Sequence, residues 1–196
     1  MGDATEDRRK ALELPDGDVV RVLLEQHARI RALFAEVNSE SGEHKKQAFD
    51  ELRALLAVHE TAEEMVLRPA TKRVGDDRGD RVADARNEEE SEANKVLKDL
   101  ESLDVESPEF DAKLAEFEKA VDSHAEAEES EEFPLILDSC DESERQTMGS
   151  HMLTAEKIAP THPHPSPAGS TPAQVAVGPI ASLIDRTRDA IGSAAP

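Results

Sequence analysis

Two pairs of residues in this chain, His59/Glu63 and His124/Glu128, place a carboxylate four positions after an imidazole. Four residues is about one helical turn, so each pair points both groups toward one side of a helix, where they can share a cation. His27 and either Glu89 or Glu90 fall at the matching register of two other predicted helices. Together these residues offer imidazole and carboxylate, donors that iron, manganese and zinc all accept. An isolated buried carboxylate costs several kcal/mol, and several together repel one another. A bound pair of divalent ions removes that conflict.

Competing chemistries fit less well. His59-Glu60-Thr61-Ala62-Glu63 begins like a zinc-protease HExxH helix but has Glu where the second His must stand. No Glu lies three residues before His27, His59 or His124, as the ferritin-like di-iron pattern requires. Cys140 has no nearby His to activate it as a nucleophile. His162 and His164 sit in a Pro-rich stretch, where two ligands alone make a poor site.

The elements that must carry these groups are four helices. Leu23, His27, Ile30, Phe34 and Val37 recur at alternating spacings of four and three, after Asp18 as a candidate N-cap. A second stripe runs through Ala48, Leu52, Leu55, His59, Ala62 and Val66. A third takes in Val82, Glu89 or Glu90, Ala93, Val96, Leu97 and Leu100. The fourth starts at Ser107-Pro108-Glu109, a cap followed by a first-turn proline, and continues through Phe110, Leu114, Phe117, Val121, His124 and Glu128. Glu132-Phe133-Pro134 predicts its end or a bend. Of the four His before residue 140, three lie on these apolar stripes and only His44 does not. Nothing alternates with period two, so the expected fold is all-α, an up-down-up-down four-helix bundle.

Composition narrows the partners. The 196 residues carry 44 acidic and 23 basic side chains, a formal charge of −21. Such a charge repels phosphate backbones and anionic membranes, so neither nucleic acid nor a membrane is an expected partner. From Gln146 onward acids and bases balance, so the excess belongs to residues 1–145. Seven of the eleven prolines fall beyond that point, the composition of an extended, disordered tail. The expected organisation is a flexible N-terminus over 1–17, the bundle over 18–140, a Pro-rich linker over 141–178 and a short amphipathic helix over 179–196. Ile180, Leu183, Ile184 and Ile191 would let that last helix dock on a protein partner. A single Cys and a polar first ten residues predict a cytoplasmic protein without disulfides or a secretory signal.

Taken in order, these segments resemble the hemerythrin-like HHE cation-binding domains. The likeness spans about 18–137 and rests on Leu-Leu-Glu-Gln-His27-Ala-Arg-Ile-Arg, on His59-Glu60-Thr-Ala-Glu63 with Val66-Leu67-Arg68-Pro69 after it, and on His124-Ala-Glu-Ala-Glu128-Glu129 followed by Phe133-Pro134. The resemblance implies a bundle around a non-haem di-iron centre, with Mn or Zn as other metals that such donors accept. It implies Glu63 and Glu128 as carboxylates bridging two iron ions, His27, His59 and His124 as terminal ligands, and Glu60 as an additional one. The third helix has no His, and Glu90 stands where the family usually has one, with Glu89 beside it. The implied function is binding or sensing of dioxygen, peroxide or nitric oxide. Two other readings remain open: a weak catalase-like, peroxide-disproportionating enzyme at the same centre, and a metal-free helical interaction module.

Overall fold

The computed structural model of the chain describes residues 2–74, 76–157 and 159. The predicted helix over 179–196 and most of the predicted linker lie outside the described residues. Four long helical rods form the expected up-down-up-down bundle. The first is α2 (Val19–Ser39), following a short α1 (Ala4–Ala11). The second joins α3 (Gly42–Ala62) to α4 (Arg68–Val74) through a π-helical turn at Glu63–Leu67. The third is α5 (Asp76–Leu100). The fourth joins α6 (Pro108–Ala127) to α7 (Phe133–Ser139) through a second π turn at Glu128–Glu132, and α8 (Glu142–Glu156) follows. No helix among the described residues is long and apolar enough to cross a membrane.

The helix starts are those the sequence encodes. The Asp18 carboxylate accepts from the Val20 amide at 3.0 Å, and the Ser107 hydroxyl accepts from the Phe110 amide at 3.1 Å. The buried stripes form two apolar clusters at opposite ends of the bundle. Leu23, Leu24, Leu67, Phe133 and Ile136 belong to one; Leu33, Phe34, Leu52, Leu97, Phe110 and Phe117 belong to the other. Between them lies a buried polar layer containing His27, His59, Glu63, Glu90 and Glu128. Two apolar ends hold the rods in register, and the middle is left to chemistry.

Two segments differ from the sequence reading. Residues 4–11, expected within a flexible N-terminus, form α1, which packs on α2. Its anchor is electrostatic as well as apolar, which is why no stripe revealed it. Ala11 and Asp7 are buried, and the Arg31 guanidinium bonds to Asp7, to Asp122 at 2.9 Å and to Glu129 at 3.2 Å. Residues 142–156, expected within the linker, form α8. Asp141 and Glu144 make a reciprocal capping box, and Met148, Met152 and Ala155 are buried in the first apolar cluster.

Gly149 decides how closely α8 docks. A Cβ there would lie 2.0 Å from the Gly17 carbonyl oxygen and 3.0 Å from its carbon, and Gly17 itself holds a left-handed φ of +78°. Gly149→Ala is therefore expected to destabilise the protein by about 1–3 kcal/mol through overpacking. Urea unfolding followed by circular dichroism measures this, and an unshifted midpoint would mean that the close approach is not needed.

Candidate metal centre

The two π turns have one cause. Pro69 and Pro134 have no N–H to give to the carbonyls of residues 65 and 130, and their rings crowd the turn before them. The helix widens instead, so that the Arg68 amide donates to the Glu63 carbonyl and the Phe133 amide to the Glu128 carbonyl. In an α-helix, residues five apart diverge by about 140°, but a π turn returns them to nearly the same face. Glu63 and Arg68 therefore enter the interior together, as do Glu128 and Phe133. All four are buried. The second and fourth rods thus repeat one device: His, Glu four later, a π turn, and Pro six beyond the Glu.

These devices bring two sets of donors together. His27, His59, Glu63 and Glu128 offer ligand atoms within 4.8 Å of one another, and so do Glu63, Glu90, His124 and Glu128. Glu63 and Glu128 belong to both. His27 Nε2 lies 3.2 Å from Glu128 Oε2, His59 Nε2 lies 3.5 Å from Glu63 Oε2, and His124 Nε2 lies 3.2 Å from Glu128 Oε1. Six atoms here are buried without a hydrogen-bond partner: the Nε2 of His27 and His124, Glu60 Oε2, Glu63 Oε1, Glu90 Oε2 and Glu128 Oε2. Orphaned buried polar atoms are rare and costly. So many converging in one layer fit a cation with a mixed nitrogen and oxygen donor set.

The far side of each imidazole is fixed. His27 Nδ1 lies 3.2 Å from Glu129 Oε1, His59 Nδ1 lies 2.6 Å from Gln26 Oε1, and His124 Nδ1 lies 2.8 Å from Glu89 Oε2. Each of these oxygens accepts, so each assigns a proton to Nδ1 and turns Nε2 toward the donor cluster. Gln26 is oriented in turn, since its Nε2 donates to Glu156 Oε1 at 2.6 Å. Through Glu156, α8 supports the candidate donor His59 on α3.

The electrostatics are those of a site without enough positive charge. Burial, with Glu128 beside it, holds the Glu63 carboxyl well above the usual carboxylate range. Burial also raises Glu90, against the pull of Arg68. Glu60 is raised well above its usual value by burial and by Glu90. Burial disfavours imidazolium at His27 and His124, but the neighbouring Glu128 outweighs it and both are raised. His59 is held down to about 3, by burial and then by the charge on His27. Glu128 resists its own burial because His124 and Arg68 face it, and it is lowered well below the ordinary range.

Each predicted residue has a definite place. His27, His59, Glu63, Glu90, His124 and Glu128 are brought together. Glu60 is buried beside them but stands outside both donor sets. Glu89 is 42% exposed and backs His124 from outside, whereas Glu90, 2% exposed, faces inward. Sequence reasoning missed Arg68, whose Nη2 donates to Glu90, to Glu128 at 2.5 Å and to Glu63 at 3.4 Å, while Nη1 donates to Glu132 at 2.5 Å. The signal was available: Arg68 precedes Pro69 as Phe133 precedes Pro134. A cavity of about 890 Å³ leads from exposed residues such as Glu92 and Glu116 past Ile30, Phe34, Val96 and Phe117 to His27, His59, Glu60 and His124.

Comparison with known proteins bears on the fold and on cation binding. The family model of the hemerythrin HHE cation binding domain matches residues 18–136. An uncharacterised hemerythrin-like protein of Schizosaccharomyces pombe is 28% identical over 134 residues, which are 68% of this chain and 66% of that protein. The chain thus spans just under two thirds of that relative's length. A crystal structure of a hemerythrin HHE cation binding domain-containing protein from Mycobacterium kansasii aligns with a TM-score of 0.62 at 20% identity, covering 83% of this chain and 94% of that one. At that identity the likeness is one of fold.

Proposed function

This chain belongs to the hemerythrin HHE cation-binding domain family, and from that premise we propose that its buried cluster holds iron in two positions sharing Glu63 and Glu128, and that the reduced centre binds or senses dioxygen, peroxide or nitric oxide. The observation that carries the reading is the set of partnerless buried donor atoms converging at the end of an apolar-walled cavity. His27, His59, Glu63 and Glu128 would hold one ion, and Glu63, Glu90, His124 and Glu128 the other. Ferrous iron held there would supply electrons and a Lewis-acidic centre for a small ligand.

The chain's own residues determine how such a ligand is received. Ile30, Phe34, Val96 and Phe117 along the cavity keep water sparse and admit a small uncharged ligand. Burial and the neighbouring Glu90 favour the protonated form of the Glu60 carboxyl at the cavity floor, a form that can donate a hydrogen bond to a molecule that arrives there. Glu90 in place of an imidazole makes the donor set harder and richer in oxygen. That favours the oxidised ion, and with it sensing or turnover over reversible dioxygen carriage. The buried free thiol of Cys140 suits a reducing compartment, so we place the protein in the cytoplasm.

Protein purified under argon, loaded with ferrous iron and exposed to nitric oxide or dioxygen is expected to develop charge-transfer bands. The chain has no Tyr and no Trp, so its own near-ultraviolet absorption is weak and the bands stand clear. A protein that retains no iron, and whose partner binding survives loss of His27 and His124, would be a helical interaction module instead. The protonated Glu60 favours one second reading, peroxide disproportionation. It predicts oxygen evolution from peroxide that disappears in a His59→Ala, Glu63→Ala variant.

A further inference from the structure

The two donor sets are alike in topology but not in their surroundings. Where the fourth rod brings Phe133 through its π turn, the ring stacks on His27 with centroids 5.6 Å apart. It adds no charge to the set of His27, His59, Glu63 and Glu128, where His27 Nε2, Glu63 Oε1 and Glu128 Oε2 have no partner. Where the second rod brings Arg68 through the same turn, a guanidinium enters the other set. Its Nη2 contacts carboxylate oxygens of Glu63, Glu90 and Glu128, three of the four members of that set. The oxygens Glu90 Oε1 and Glu128 Oε1 that accept from Arg68 also lie 3.8 and 3.2 Å from His124 Nε2. The nitrogen therefore stands among the atoms that an ion in that position would use. It is also tethered, because Nη1 is held by Glu132, which in turn accepts from the Thr71 hydroxyl at 2.5 Å.

We propose that Arg68 is a resident counter-cation of the second metal position, so that the protein holds one divalent ion tightly at His27, His59, Glu63 and Glu128 and takes a second only by displacing the guanidinium. This rests on the reading that the cluster binds metal at all. The physical ground is direct: a guanidinium and a divalent cation are like charges seeking the same oxygens, a few ångströms apart in a medium of low dielectric. Arg remains charged at any accessible pH, so the competitor does not titrate away. The two positions fill in order, and a chain with one ion bound carries a fixed cation beside it where the two-ion arrangement has a metal.

The test is anaerobic titration of the metal-free, full-length protein with ferrous iron, and in parallel with cobalt(II), read by calorimetry and absorption. The wild type is expected to bind one equivalent tightly and a second at least roughly a hundredfold more weakly. In Arg68→Met both equivalents should bind tightly. Two equal equivalents in the wild type would overturn the proposal, as would an Arg68→Met protein that fills like the wild type. Should Arg68→Met fail to fold, Arg68→Lys decides. A lysine ammonium cannot span these carboxylates as the planar fork does, so the second equivalent tightens if the fork holds the position and is unchanged if Arg68 only supports the fold. If neither wild type nor variants bind metal, the metal-centre reading itself has failed, a result distinct from a wrong stoichiometry.

Discussion

Divalent metal is expected to raise the melting temperature of the metal-free protein by roughly 8–16 °C per tightly filled position, with the increment growing as pH rises. A ligand at a thousand times its dissociation constant adds about 4 kcal/mol to a native state that alone binds it. For a chain of this size each kcal/mol is worth about 2–4 °C. The pH dependence comes from the directions of the shifts. Glu60, Glu63 and Glu90 are raised above 4.5 in the fold, so the native state holds more protons than the unfolded chain above that pH, and stability falls as pH rises through their folded values. His27 and His124 are raised above 6.5; their contribution is complete below 6.5 and is lost as pH rises through their folded values. Glu128, Glu129, which is held at about 2, and His59, held down to about 3, act in the opposite sense and set the acid edge of stability.

The metal-free protein should therefore be most stable in mild acid and weaken toward alkaline pH. Metal reverses that trend, because the protons that stabilise the empty cluster sit on the atoms an ion must use. Melting curves from pH 5 to 8, with chelator and with ferrous ion, test both halves. Equal melting temperatures with and without metal across that range would mean that the cluster does not bind cations.

Much of this arrangement was legible because helical register reports direction. His27, His59 and His124 interrupt apolar stripes at positions that must face inward, so the bundle and the donors could be read together. Register alone left Glu89 and Glu90 open, and Glu90 was preferred only through the family resemblance, once Ala93, Val96 and Leu97 are aligned with that family's apolar positions. Register also explains why other features stayed hidden. A π turn adds a residue that no periodic pattern contains, so neither turn was foreseen, and Pro134 read as an end or a bend although the rod continues past it. Arg68 lies five residues from Glu63, on the far side of a regular helix, and only the π turn brings it inward. α1 is held largely by Asp7 and Arg31, an ion pair that periodicity cannot detect. α8 did leave a trace in Asp141-x-x-Glu144 and in the spacing of Met148, Met152 and Ala155, but the neighbouring prolines pointed to a linker.

The two shared carboxylates should behave alike toward metal and oppositely toward the empty fold. Glu63→Gln and Glu128→Gln each remove a donor common to both sets. Each is expected to weaken metal binding at both positions by more than the about 10–100-fold that an outer support of a ligand is worth. In the metal-free protein the two residues hold different charges. Glu63 is buried beside Glu128, and its carboxyl is raised well above the usual range, which favours its protonated form. Gln is close to an isostere of that protonated acid, and Glu63→Gln should change metal-free stability by no more than about 1 kcal/mol. Glu128 is ionised, with His124, Arg68 and His27 all turned toward it. Removing its charge leaves three buried cations facing a neutral amide, and such broken pairs typically cost about 3–5 kcal/mol. Urea unfolding in chelator, beside metal content after anaerobic loading, separates the two effects. If both variants lose metal but only Glu128→Gln loses stability, one carboxylate is a ligand kept neutral until an ion arrives and the other is the anion around which the empty site is organised. Equal stabilities would mean that the proton within the cluster is shared between them.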